Sequence, residues 1–171
     1  MRYPIGRYAA PASIEENQRV AWIADLEALP GKLRQAVAGL SDDQLETAYR
    51  PGGWTVRQVV HHYADSHLNA YIRFRLALTE EVPTIKPYEE AIWAELPDAK
   101  AGPIEPSLSL LDGLHTRWAL LLRSLSDAEF ARSFNHPEMG QKRLDWILGM
   151  YAWHSRHHLA QIRNLRKRQG W

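Results

Sequence analysis

Apolar positions recur at helical spacing through most of the chain, and polar caps mark where the runs begin. Ser13-Ile14-Glu15-Glu16 reads as a capping box, a serine N-cap with a glutamate three residues on. The run behind it carries Val20, Ile23, Leu26, Leu33 and Val37. Pro30 lies inside it and is expected to kink or interrupt the helix, because proline has no N–H and crowds the preceding turn. Ser41-Asp42-Asp43-Gln44 is a second box and predicts a short helix. Gly52-Gly53 makes a turn, and Thr55 with Gln58 caps a helix that should reach about Thr79. Trp54 and Val59 hold the positions of a hydrophobic staple at its start. Pro83, Pro87, Pro97, Pro103 and Pro106 make residues 80–106 a long connection, with one short helix around Tyr88 to Leu96. A long helix follows from about Ser107 to Leu125, and Ser126-Asp127-Ala128-Glu129 caps another short one. A loop through His136-Pro137 and Gly140 leads to the last long helix, about Leu144 to Gln169, with Gly170 as its stop. Met1 to Ala12 reads as an ordered arm without regular structure, and no segment shows a strand pattern.

Leu40-Ser41-Asp42-Asp43-Gln44-Leu45 is echoed by Leu125-Ser126-Asp127-Ala128-Glu129-Phe130. Each follows a long helix and precedes a loop and a histidine-bearing helix. The echo predicts two similar helical hairpins packed as an all-α four-helix bundle. The proline-rich stretch matches the long crossover connection that some bundles use.

Composition narrows this picture. The 171 residues suffice for a single domain, 1–171, with a sizeable core. Twenty-one Lys plus Arg nearly balance twenty Asp plus Glu, so no overall field for nucleic acid or an anionic membrane arises. Arg163, Arg166, Lys167 and Arg168 form a local basic end, read first as a helix-dipole feature. The absence of cysteine excludes disulfides, thiolate metal sites and a cysteine nucleophile. No signal-type apolar region and no run of membrane-span length are present, so a cytoplasmic location is expected. Seven Trp and seven Tyr exceed what a small core needs, which predicts a pocket, a homodimer interface or both.

Six of the eight histidines fall in two patches, 61–67 and 154–158. In the last helix, His154 and His158 are one turn apart and lie amid Ile147, Met150, Tyr151, Gln161, Ile162 and Leu165, a mostly apolar stripe. Buried imidazoles in contact need partners for their ring nitrogens. They are either core histidines bonded to neighbours or ligands of a divalent metal, which requires neutral imidazoles with free lone pairs. Ser155 and Arg156 stand where a zincin would have its glutamate, so that mechanism is excluded. On the other helix, Val56, Val59, Val60, Tyr63, Tyr71, Phe74 and Leu78 are apolar and enclose His67. Periodicity therefore nominates His67 as the buried ligand. His62 borders a polar stripe of Thr55, Gln58, Asp65, Ser66, Asn69 and Arg73, which is either a solvated face or the wall of a pocket. In the second case Asp65 would orient His62 or accept a proton, and Arg73 would hold a polar or anionic ligand.

The stretch Gly52-Gly53-Trp54-Thr55 through His67, followed by Tyr71-Ile72-Arg73-Phe74, resembles the YfiT-like branch of the DinB superfamily. Tyr151-Ala152-Trp153-His154-Ser155-Arg156-His157-His158 is similar to that branch's closing motif, and Tyr3-Pro4-Ile5-Gly6 and Gly170-Trp171 also fit. The resemblance implies an antiparallel four-helix bundle holding one divalent metal, zinc or nickel. The matching ligand positions are His62, His154 and His158, in place of His67. It also implies a metal-dependent hydrolase of small molecules, or else an S-transferase using a low-molecular-weight thiol such as bacillithiol. A non-catalytic metal-binding module is the third class. Lys142-Arg143 replaces the usual polar cap before the last helix, which weakens the predicted helix start.

Overall fold

The structure, a computed structural model, describes residues 2–171. Four long helices dominate it: α1 (Glu16–Val37), α3 (Val56–Thr79), α6 (Glu105–Ser124) and α8 (Leu144–Gln169). Short helices α2 (Asp42–Leu45), α4 (Glu90–Trp93), α5 (Pro97–Ala101) and α7 (Asp127–Phe130) lie in the connections. The all-α four-helix bundle with a long crossover is thus as expected.

Several capping predictions are met atom by atom. Ser41, Thr55 and Ser126 each accept from the backbone N–H three residues on, and Gln44, Gln58 and Glu129 reciprocate. Gly170 ends α8 in the left-handed region at φ 75°, as a helix stop requires. The first helix begins two residues later than predicted. Its cap is Glu15, because the long Gln18 side chain reaches the Glu15 N–H at 3.0 Å. The weak start of α8 is compensated from within. Asp145 accepts from the Trp146 N–H at 2.7 Å and pairs with Arg143, placing a carboxylate in the first turn where the helix dipole favours it.

Three expectations need correction. Pro30 does not break α1, which runs unbroken for 22 residues with Pro30 buried inside it. One local consequence is that the Leu26 carbonyl, one turn back, receives no N–H from residue 30. Residues 97–101 form a second short helix in the crossover. Pro97 opens it, a position where the missing N–H costs nothing. The loop before α8 is an antiparallel hairpin of β1 (Ser133–His136) and β2 (Gly140–Arg143), pairing Ser133 with Arg143 and His136 with Gly140. Its second strand, Gly-Gln-Lys-Arg, has no apolar alternation to read.

The packing order also differs from two hairpins. The α1 helix packs on α6 and α8, and α3 packs on the same two, so helices consecutive in each half lie diagonally. Arg34 meets Glu105 and Asp112 while Glu27 meets Arg123, so α1 and α6 are antiparallel. Arg156 pairs with Asp25 and Arg166 reaches the Ala36 carbonyl, so α1 and α8 run parallel. The α3–α8 pair is antiparallel, with Tyr63 donating to the Ser155 carbonyl and Ser66 facing Tyr151.

Two apolar clusters fill the bundle. One holds Ile23, Phe74, Trp118, Leu122, Ile147 and Tyr151; the other holds Leu33, Val56, Val60, Leu111, Ile162 and Leu165. A layer of imidazoles separates them. The polar stripe of α3 is neither a solvated face nor a pocket wall, because the crossover lies on it. From the stripe Gln58 donates to the Ala94 carbonyl at 2.8 Å, and beside it Arg57 donates to the Gly102 carbonyl at 2.7 Å.

Candidate metal centre

His62 on α3 and His154 and His158 on α8 bring one nitrogen each to a common point, all within 4.8 Å of one another. The i,i+4 spacing of the α8 pair and the antiparallel approach of α3 produce this convergence. The Tyr63 hydroxyl, 2.5 Å from the Ser155 carbonyl, pins the two helices beside it. Burial depresses all three imidazoles: His62 falls to about 4, and His154 and His158 fall well below the ordinary value. They are neutral at pH 7, the state a metal ligand must be in.

The donor set fits a divalent cation. His62 Nε2 and His154 Nε2 lie 3.1 Å apart, so two neutral rings direct nitrogens at one point. His158 is oriented by Gln161, whose Oε1 lies 2.7 Å from His158 Nδ1. The Arg2 carbonyl accepts from Gln161 Nε2 at 3.1 Å, which fixes which end of the amide faces His158. His158 Nδ1 is therefore the donor, and its Nε2 lone pair is free for the common point.

The three histidines line a cavity of about 410 Å³. Its rim is built outside the long helices: Arg2 and Tyr3 from the N-terminal arm, Arg50 and Trp54 from the turn before α3, and Glu90 from α4. Trp54 covers His62 at 4.6 Å between ring centroids.

Two nominated residues stand elsewhere. Asp65 does not line the cavity. It is half-buried, and burial first, then the charge of Asp98, pushes its carboxyl up to about 6. Arg73 is buried toward the hairpin, where its charge acts on His136 and Tyr151. His67 is fully buried and stands next to His154, with its Nε2 3.2 Å from His154 Nδ1, outside the converging three. Sequence reasoning passed over Gln161 as one more member of the α8 stripe. It also missed His115, which touches His67 at 3.0 Å. The available signal was a lone histidine between Leu111 and Trp118 on the apolar face of α6.

Residues 25–162 match the DinB superfamily. A protein of Bacillus cereus (strain ATCC 14579) named "Putative metal-dependent hydrolase" is 54% identical over all of this chain and 98% of its own. A relative of the same description from Bacillus mycoides (strain KBAB4) has the same identity and coverage. Among solved structures, YfiT from Bacillus subtilis superposes with a TM-score of 0.97 at 54% identity, over 99% of this chain and 98% of that one. It is described as a probable metal-dependent hydrolase with an unusual four-helix bundle topology. A second four-helix bundle protein, 21% identical, superposes at 0.57 over 90% of this chain and 99% of its own, a likeness of fold alone.

Proposed function

The chain belongs to the DinB superfamily, and on that premise we propose that it is a metal-dependent hydrolase of small molecules, with one divalent ion held by His62, His154 and His158. The observation that carries this reading is the convergence of three neutral imidazoles at the base of an open cavity. Three protein ligands leave coordination positions for water or substrate, the arrangement of a catalytic ion. Zinc or nickel bound there would supply Lewis acidity, and zinc would bring the pKa of a water toward about 7.

The chain's own groups supply the rest. Glu90 is the carboxylate of the cavity rim, partial desolvation there raises its carboxyl, and it is placed to accept a proton. Arg2 and Arg50 stand on the same rim and hold an anionic group of the substrate. Trp54, Trp153 and Tyr3 give it apolar walls. Asp65 and Arg73 have no step in this scheme, because neither reaches the cavity.

Elemental analysis tests the site. We expect one zinc or nickel per chain in the parent protein, and loss of most of it in His62→Ala, His154→Ala and His158→Ala. Full occupancy in the variants with unchanged helical circular dichroism would remove the site. The loaded protein is then assayed on ester and amide panels, and in parallel on electrophiles with small thiols. Metal-dependent turnover is expected in the first arm. Turnover confined to the second arm moves the reading to thiol S-transfer.

A further inference from the structure

A single file of hydrogen bonds crosses all four long helices and ends at the metal centre. It starts at the Leu26 carbonyl of α1. In an unbroken helix that oxygen would accept from the N–H of residue 30, but residue 30 is Pro30. The free oxygen lies 2.6 Å from His115 Nδ1 on α6. A carbonyl only accepts, so Nδ1 of His115 carries a proton. Burial lowers His115 to about 4, so its ring is neutral and its Nε2 holds a lone pair. That nitrogen lies 3.0 Å from His67 Nδ1 on α3, which must therefore be the donor. His67 has no exposed surface and meets only other imidazoles through its two ring nitrogens, where a charge would be uncompensated, so with Nδ1 donating its Nε2 is an acceptor. It takes the proton of His154 Nδ1, 3.2 Å away on α8. The remaining lone pair of His154 is on Nε2, the nitrogen 3.1 Å from His62. Each link has one solution once the first is fixed.

We propose that His67 and His115, anchored on the Leu26 carbonyl that Pro30 leaves free, are positioning residues that fix His154 as its Nδ1–H tautomer and so present Nε2 to the metal. The inference rests on the metal reading above. It explains why two imidazoles that lie outside the metal cavity sit at the centre of an apolar bundle, and why a helix interior carries a proline. Without the anchor, the file can run in either direction. In the reversed sense His154 carries its proton on Nε2, where the cation should bind. Partners that orient a ligating imidazole are worth roughly ten- to a hundredfold in metal affinity.

The test begins with the metal-free parent protein labelled with ¹⁵N. Long-range proton–nitrogen correlation spectra distinguish the two neutral tautomers. His115, His67 and His154 are all expected as Nδ1–H. His154 as Nε2–H would overturn the proposal, and this measurement needs neither metal nor variant. The second step replaces His115. His115→Phe removes the anchor, and zinc affinity measured by competition with a chelator should fall about ten- to a hundredfold. The His154 signals should shift toward the other tautomer. His115→Gln keeps a side-chain acceptor for His67 and should recover most of the affinity. Parent affinity in His115→Phe would overturn the proposal. If the parent binds no divalent ion, the metal reading fails, while the tautomer spectrum still decides the hydrogen-bond file.

Discussion

Asp65 sits half-buried on α3 with Asp98 nearby, and its carboxyl rises to about 6. A carboxylate raised above its ordinary value binds protons more tightly in the folded chain. Its contribution to stability is full below the ordinary carboxylate range and is lost as pH rises through about 6. At pH 7 the charged group is therefore a burden on the fold. Asp65→Asn should raise stability at pH 7 by on the order of 1 kcal/mol, a figure reduced for solvent screening. The gain should vanish near pH 4, and metal content should be unchanged because Asp65 is outside the cavity. Denaturant melts at pH 4 and pH 7 check this. A loss of stability at pH 7 would mean that the carboxylate has a partner that outweighs its burial.

Gly149 shows how the helices approach one another. A methyl group there would lie 2.6 Å from the Tyr8 hydroxyl and 2.8 Å from the Trp22 ring. Alanine improves helix propensity by about 1 kcal/mol, while overpacking costs roughly 1–3 kcal/mol, so the clash wins. Gly149→Ala should be less stable than the parent by about 1 kcal/mol in urea melts. It should also loosen the arm, since Tyr8 donates to the Trp146 carbonyl. The long helices were legible because caps such as Thr55–Gln58 and stripes such as that of α8 are local signals. The hairpin was not, since only Phe134 of its eight residues is an apolar side chain committed to the core. The diagonal order of α1 and α3 was also hidden, because a stripe states which face is buried and not against which helix. In the site, the His154–His158 pair was legible from spacing. His62 looked like a border residue because the crossover that buries its stripe cannot be foreseen from α3 alone. His115 and Pro30 become meaningful only when α1, α3 and α6 are brought together.

All eight histidines are held below their ordinary value, with burial the first cause for each. A depressed histidine contributes stability that is full above the unfolded value near 6.5 and is lost as pH falls toward the folded one, about 4 for His62 and His115. Asp65 and Glu90 act in the opposite sense but are two against eight. The metal-free protein should therefore lose stability below pH 6.5, by up to about 1.4 kcal/mol per pH unit for each histidine. Melting temperatures between pH 7.5 and pH 4.5 check this, and a flat profile would contradict the buried imidazole layer. The rim of the cavity has a different consequence. The imidazoles and their supports belong to the four long helices, whereas Arg2, Tyr3, Arg50 and Glu90 come from the arm, a turn and the crossover. Arg2 and Tyr3 even lie outside residues 25–162, the stretch shared with the superfamily. The three converging imidazoles and the residues that line the approach to them thus come from different parts of the fold. On the proposed reading, a change in the arm, the turn or the crossover would alter what enters the cavity and leave the three imidazoles in place.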